Sequence, residues 1–152
     1  MTGVVTDAMF GRLTTYLRMC GYDTVYVLDE DLETDDEIRA VAEDENRTLL
    51  TRDADLAAQT HDALLLESRD TETMLSTLGE AGFDLSLPET PERCSACNGI
   101  VERVGGDEPT PEYAPDPQTE DIWRCTACGQ HFWKGSHWEN VTDMLGAAQE
   151  NS

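Results

Sequence analysis

Four cysteines arranged as two Cys-x-x-Cys pairs constrain the fold of this chain more than any other feature. Cys94 pairs with Cys97 and Cys125 with Cys128, and 27 residues separate the two pairs. A Cys-x-x-Cys turn places two thiolates on one edge of a tetrahedron, so two such turns complete a four-thiolate site. Ligands of this type and spacing select zinc. A closed set of four leaves no open coordination position, so the predicted zinc is structural.

The residues that follow each pair support this interpretation. Asn98-Gly99 and Gly129 follow the second cysteine of each pair, where a tight turn favours a residue that tolerates positive φ. Redox-active cysteine pairs are the alternative, but two pairs with matching turns favour metal binding. His131 lies near the second pair and is not needed, because four cysteines already complete the site.

The residues before the cysteines have the pattern of an α/β domain. Short apolar runs alternate with amphipathic stretches, which predicts a parallel sheet covered by helices on both faces. We expect strands at 4–5, 25–27, 49–51 and 63–66, and a further strand at 131–133 after the cysteines. We expect helices at 9–20, stopped by Gly21, at 35–42, with Thr34 or Asp35 as the cap, at 53–60 and at 71–81. The prolines at 88 and 91 mark a boundary. We therefore predict an α/β domain at 1–88 and a zinc ribbon with a C-terminal helix at 89–152, the helix beginning at a capping box at Ser136.

The charge of the chain is extreme and points to its environment. There are 32 acidic against 10 basic residues, a net charge of −22, and only one lysine, Lys134. The acids are spread along the chain, which is typical of proteins that work in concentrated salt, where ions screen self-repulsion. No apolar run is long enough to cross a bilayer and no secretory signal is visible, so we expect a cytoplasmic, haloarchaeal-type protein without a membrane partner.

Several aspartates follow or precede the predicted strands at one edge of the sheet. Asp7 follows the first strand, Asp53 and Asp55 follow the third, and Asp35 opens the helix before the third strand. Ligands of parallel α/β sheets collect at the carboxyl ends of the strands, and clustered carboxylates select Mg²⁺ or Mn²⁺. Helix capping alone also explains aspartates at these positions, so the residues leave both interpretations open.

Three stretches and the two cysteine pairs together resemble the Mut-seven C-terminal ribonuclease family. The stretches are DAMFGRLTTYLRMCGYDT, TDDEIRAVAEDENRTLLTRDADLA and FWKGSHWENV. The similarity covers nearly the whole chain. It implies a PIN-like nuclease domain followed by a zinc ribbon, and acidic residues that bind a divalent metal for RNA cleavage.

The resemblance also assigns candidate residues. It implies that Asp7, Asp35, Asp53 and Asp55 are catalytic ligands of Mg²⁺ or Mn²⁺, with Asp35 a better match than Asp36. It implies that Arg12 and Arg18 face RNA phosphate, and that Arg52 does likewise. The chain departs from the family by lacking lysines that would help to hold RNA.

The sequence thus predicts a metal-dependent ribonuclease whose ribbon docks RNA or a ribonucleoprotein or processing complex. One alternative is a non-catalytic RNA- or ribonucleoprotein-binding adaptor, and another is a scaffold for a protein partner. An aromatic cluster in the ribbon either packs its small core or stacks bases. The cluster comprises Trp123, Phe132, Trp133 and Trp138.

Overall fold

A four-stranded parallel sheet flanked by helices forms the N-terminal part of the computed structural model, which describes residues 3–88 and 90–150. For residues 136, 137 and 148–150 only the backbone is described. The sheet order is β2-β1-β3-β4, with all neighbouring strands parallel. The first eight elements are β1 (Gly3–Thr6), α1 (Gly11–Met19), β2 (Thr24–Tyr26), α2 (Asp35–Asp44), β3 (Arg47–Thr51), α3 (Ala54–Gln59), β4 (Ala63–Leu65) and α4 (Thr71–Glu80).

The central strands bury side chains on both faces, as their continuous apolar runs predict. Val4 and Leu50 lie in the larger of two hydrophobic clusters, whereas Val5 and Leu49 lie in the smaller one. This alternation follows from the two-residue period of a strand. Helices α1 and α4 pack in the larger cluster, and α2 and α3 pack in the smaller one. The predicted α/β fold with helices on both faces is confirmed.

The C-terminal part forms a small ribbon and one long helix. Its strands are β5 (Val101–Arg103), β6 (Trp123–Cys125) and β7 (His131–Phe132), which form an antiparallel sheet in the order β5-β6-β7. The sequence predicted β7 but neither β5 nor β6. The final helix is α5 (Ser136–Glu150), and the side chain of Ser136, the predicted capping residue, lies outside the described residues.

Helix α5 joins the core of the N-terminal part. Val141 and Leu145 belong to the larger hydrophobic cluster, together with Leu75 and Leu78 of α4. The ribbon and the sheet also contact one another through hydrogen bonds near β2, described below. The predicted boundary at residues 88 and 89 stays a prediction, and residue 89 lies outside the described residues.

The ends of several elements follow local signals in the sequence. Thr34 caps α2 by accepting a hydrogen bond from Glu37 N, as one of two predicted caps. Gly21 has φ +95 and follows the end of α1, which confirms the predicted stop. Among the helices that the structure describes, none combines the length and the hydrophobicity that a bilayer crossing requires.

Candidate functional site

The strand order places a topological switch point between β1 and β3. From β1 the chain moves to β2 on one side, whereas β3 and β4 lie on the other side. Ligands of open parallel sheets bind at the carboxyl ends of the strands at such a point. Asp7 follows β1 directly, its backbone N–H donating to Leu50 O at 3.0 Å, and Arg52 and Asp53 follow β3. Two of the predicted catalytic aspartates therefore flank the switch point.

The hydroxyl of Thr51 connects these two aspartates. Thr51 Oγ1 donates to Asp7 Oδ2 at 2.6 Å and accepts from Asp53 N at 3.0 Å. Asp7 Oδ1 accepts the N–H of Ala8 at 2.8 Å. A carboxylate accepts about four hydrogen bonds, so Asp7 keeps free lone pairs. Sequence reasoning considered only carboxylates and missed Thr51, although its place as the last residue of a strand next to Asp53 was a visible signal.

Asp53, Asp55 and Asp35 all lie at the starts of helices. Asp53 Oδ1 caps α3 by accepting from Asp55 N at 3.0 Å and from Leu56 N at 3.2 Å. Asp55 lies in the first turn of α3, Asp35 lies in the first turn of α2, and all three side chains are exposed. Capping thus accounts for Asp53 in part, and the favourable interaction with the helix dipole accounts for acids in first turns.

The four aspartates do not form a compact group of ligands. Among the described residues, the one set of three or more His, Cys, Asp or Glu side chains with ligand atoms all within 4.8 Å consists of the four cysteines. The metal site predicted at Asp7, Asp35, Asp53 and Asp55 therefore stays a prediction. Mg²⁺ usually keeps several waters and takes one or two carboxylates plus substrate phosphate. Asp7, bonded to Thr51 through its carboxylate, and Asp53, bonded to Thr51 through its backbone N–H, are enough carboxylates for that smaller requirement.

Two further features mark the loops at the switch point. Met9, two residues after Asp7, has φ +78 and a side chain that is 71% exposed. A left-handed backbone is costly for a residue other than glycine, and such strain clusters at functional sites. Arg52 is half-buried, and its Nε is buried without a hydrogen-bond partner among the described residues. Both features lie beside the two aspartates.

The predicted phosphate-binding arginines have different surroundings. Arg12 is exposed on α1. Arg18, on the same helix, is only 3% exposed, so it does not face solvent. Its guanidinium donates to Thr24 O at 3.0 Å, Ser95 O at 3.2 Å and Asp29 Oδ2 at 3.3 Å. These bonds join α1 to β2 and to the first cysteine turn, which gives Arg18 a structural role.

The four cysteines have the geometry of one metal centre. The Sγ–Sγ distance is 3.7 Å between Cys94 and Cys128 and 3.5 Å between Cys97 and Cys125. A tetrahedral zinc with Zn–S bonds of about 2.3 Å separates its sulfurs by about 3.8 Å. Asn98 and Gly129 have φ +72 and +84, which confirms the predicted turns. The cysteines therefore fit a structural zinc ion, which would cross-link the ribbon when bound.

Burial and backbone hydrogen-bond donors shift the pKa values of the cysteine thiols in opposite directions. Burial raises the pKa of Cys94 to about 12. Burial also opposes ionisation of Cys125, but the N–H groups of Cys128 and Ala127, which donate to its Sγ, act together with hydrogen bonds from the Cys97 and Cys128 thiols and lower its pKa to about 7. Burial raises the pKa of Cys20 in the main core to about 12, so that thiol is unsuited to act as a nucleophile.

Gly99 belongs to the Asn98-Gly99 pair that the sequence assigns to a tight turn, but its close packing against the second cysteine turn was not predicted. A Cβ there would lie 2.8 Å from Cys125 Sγ and 2.9 Å from Ala127 Cβ. Both distances are too short for real atoms, so the two cysteine turns approach closely only because this position is glycine. The Asn-Gly pair after Cys97 was the available signal.

Comparison with known protein families gives a match over residues 2–145 to the model described as the Mut7-C RNAse domain. No curated protein and no solved structure matches the chain.

Proposed function

Because this chain belongs to the Mut7-C RNAse domain family, we propose that it is a metal-dependent ribonuclease that hydrolyses RNA phosphodiester bonds. The observation that carries this proposal is the pair Asp7 and Asp53, joined through Thr51 at the topological switch point. This is the place where the strand order favours ligand binding. The Cys-lined ribbon supports the fold through zinc and takes no part in the chemistry.

In this proposal Asp7 and Asp53 hold Mg²⁺ or Mn²⁺, with Asp35 and Asp55 contributing from the first turns of α2 and α3. The bound ion would supply a low-pKa water and charge stabilisation for phosphoryl chemistry. Thr51 holds the Asp7 carboxylate in place through its hydroxyl. Arg52, with an unpaired Nε beside Asp53, and Arg12, exposed on α1, contact the phosphate of the substrate.

The experiment measures hydrolysis of single-stranded RNA in concentrated KCl with Mn²⁺. We expect Asp7→Asn and Asp53→Asn each to slow cleavage by about 100-fold or more, the scale of removing one group that stabilises a charged transition state. Asn caps a helix about as well as Asp, so Asp53→Asn preserves the end of α3 and tests the charge alone. Equal cleavage by all three proteins would exclude this mechanism.

A matched pair on α2 tests Asp35. Asp35 and Asp36 are adjacent in its first turn and both are exposed, and Asp36 pairs with Arg39 at 3.2 Å. The variants Asp35→Asn and Asp36→Asn remove the same charge from the same turn. We expect only Asp35→Asn to reduce cleavage and Mn²⁺ uptake. If both variants behave alike, Asp35 has no specific role in the site.

The second candidate function is a non-catalytic adaptor that binds RNA or a ribonucleoprotein. It is favoured by the absence of any three carboxylates within 4.8 Å among the described residues. Isothermal titration separates the two candidates. A catalytic site takes up Mn²⁺ in a way that Asp7→Asn abolishes, whereas an adaptor binds RNA equally well after a mild EDTA treatment that spares the zinc.

The charge composition supports a proposed setting for this activity. With 32 acids, 10 bases and one lysine, the chain carries the surface of a protein adapted to concentrated salt, as in a haloarchaeal cytoplasm. Salt at such concentrations reduces the repulsion between the protein and RNA phosphate. The same salt weakens ion pairs to RNA, so contacts that do not depend on charge gain importance.

A further inference from the structure

A cavity of about 430 Å³ lies between the ribbon, the end of α1 and the start of α5, away from the switch-point aspartates. Its volume lies within the range of sites that bind small molecules. Aromatic rings dominate one part of the wall, and Arg93 lies at another. The lining residues are Met19, Pro91, Arg93, Ser95, Ala96, Gln130, His131, Phe132, Trp133, Gly135 and Trp138.

The charge of this cavity differs from that of the chain. Among the described residues that line it there is no carboxylate, and the one permanently charged residue is Arg93. Each of the other four described cavities is lined by at least one Asp or Glu. In the ribbon, Arg103 pairs with Asp121 and Arg124 pairs with Glu102. Arg93 lies 3.8 Å from Asp23 Oδ2 through one terminal nitrogen and donates to Asn98 O through the other. An anionic chain at this cavity would therefore meet no carboxylate among the described lining residues, and the Asp23 carboxylate nearby is already paired with Arg93.

The aromatic rings are held in fixed positions. A Cβ on Gly135 would lie 2.8 Å from Trp133 Nε1, so the indole packs directly against the backbone at this glycine. Tyr113 stacks on Trp133 with ring centroids 6.1 Å apart and an interplanar angle of 30°. A ring held in this way loses little entropy when a planar ligand stacks on it.

The two ring nitrogens of His131, which also lines the cavity, are available for hydrogen bonding. Both of its ring nitrogens are buried without a partner among the described residues, while its backbone N–H donates to Tyr113 Oη at 3.1 Å. A neutral imidazole carries one donor and one acceptor, and buried polar atoms normally find partners. The edge of a nucleobase offers donors and acceptors side by side.

We propose that this cavity is a nucleobase-binding subsite, in which one base of a single-stranded RNA stacks on the Trp133 and Trp138 region and hydrogen-bonds to His131. Arg93 holds the adjoining phosphate. The proposal rests on the proposed function, because it assigns to this cavity one unit of the same RNA substrate. Stacking is less sensitive to salt than phosphate pairing, which suits a protein of net charge −22.

The test is a titration with fluorescein-labelled single-stranded oligoadenylate of about 10 nucleotides, followed by anisotropy in concentrated KCl without added Mg²⁺ or Mn²⁺. An abasic oligomer of the same length serves as the second probe. We expect Trp133→Leu and Gly135→Ala to weaken oligoadenylate binding by about 5- to 100-fold, the scale of one lost base stack. Gly135→Ala displaces the indole without removing it. Gly105→Ala is the matched control, since its Cβ would lie 3.8 Å from the nearest atom.

The outcomes separate this proposal from the nuclease mechanism. The proposed subsite is contradicted if the wild-type protein binds the abasic and the adenylate probes with equal affinity. It is also contradicted if both variants keep their zinc and bind oligoadenylate with unchanged affinity. Failure to bind either probe also overturns it and leaves a peptide partner to be tried. The Asp36→Asn protein, changed at an exposed residue outside both sites, is titrated alongside and should bind oligoadenylate as wild type does. If the Asp7→Asn protein still cleaves RNA, the proposed nuclease mechanism is excluded, but the result for base binding at the cavity is unaffected.

Discussion

Replacing Arg18 by Met tests whether this residue holds the fold together or contacts RNA. The resemblance to the family implies phosphate binding, whereas the structure buries the guanidinium and gives it three acceptors. Met retains an unbranched apolar stem of similar reach, so the substitution removes the hydrogen bonds with little loss of packing. The two roles predict opposite results for stability and for RNA affinity.

The magnitude follows from the three contacts. A hydrogen bond to a charged group contributes about 1.5–3 kcal/mol, and Thr24 O and Ser95 O each accept one. The carboxylate of Asp29 is half-exposed, with a side-chain exposure of 47%, so that ion pair adds about 0–1 kcal/mol. Ser95 O is only partly buried, so water replaces some of its bond. We expect Arg18→Met to reduce the free energy of unfolding by about 3–5 kcal/mol.

Equilibrium urea unfolding in concentrated KCl, with zinc present, measures this change. Arg12→Met is the matched control, because it removes the same charge from the same helix at an exposed position. Surface changes of this kind usually alter stability by about 0.5 kcal/mol or less. A loss below about 1 kcal/mol in Arg18→Met, which is the scale of an exposed contact, together with weaker RNA binding, would refute the structural role and restore the phosphate-binding one.

Three other changes have outcomes that the structure defines. Gly99→Ala should accelerate zinc release to a colorimetric chelator, since its Cβ would meet Cys125 Sγ at 2.8 Å, whereas Gly105→Ala should release zinc as the wild type does; equal rates would contradict the close approach. Although burial opposes ionisation of Asp23, bonds from Asn98 and Arg47 prevail and lower its pKa. Its contribution to stability is therefore present above about pH 4 and lost as pH falls through the lowered folded value. The stability difference between wild type and Asp23→Asn should be largest near neutral pH and shrink in acid, and a difference independent of pH would count against this linkage. Finally, the melting temperature should rise between about 0.1 and 1 M KCl as the Debye length falls from about 10 to 3 Å, and a flat response would argue against salt adaptation.

The parallel sheet and the cysteine turns were predictable because their signals are local. Buried strands contain short apolar runs, such as Leu49-Leu50 in β3, and the left-handed residues Asn98 and Gly129 follow the cysteines directly. The β5 and β6 strands were not predictable in the same way. Each is three residues long, and three residues, Val-Glu-Arg or Trp-Arg-Cys, are too few to establish an alternating pattern. They exist because they pair with one another across a gap of about 20 residues, with Glu102 opposite Arg124.

The roles of single polar residues were likewise predictable only where their contacts are local in the sequence. The capping role of Asp53 was visible from its position before a helix, and the structure confirms it. The role of Arg18 was hidden because one of its acceptors, Ser95, lies 77 residues away in the chain. The link from Asp7 to Thr51 spans 44 residues and depends on the strand order. A pattern in one sequence reports neighbours along the chain, whereas these contacts arise from topology.

The contacts around Asn98 explain how a zinc ion bound by the four cysteines would stabilise the α/β domain. The left-handed turn fixes the direction of the Asn98 side chain, whose Oδ1 accepts Thr24 N at 2.9 Å and whose Nδ2 donates to Asp23 Oδ1 at 2.7 Å. Thr24 begins β2, the strand beside β1. Glycine would permit the same turn but would leave the N–H of Thr24 and the carboxylate of Asp23 with fewer partners. Because Arg18 joins the same turn at Ser95, metal binding at the cysteines stabilises the packing of α1 and β2.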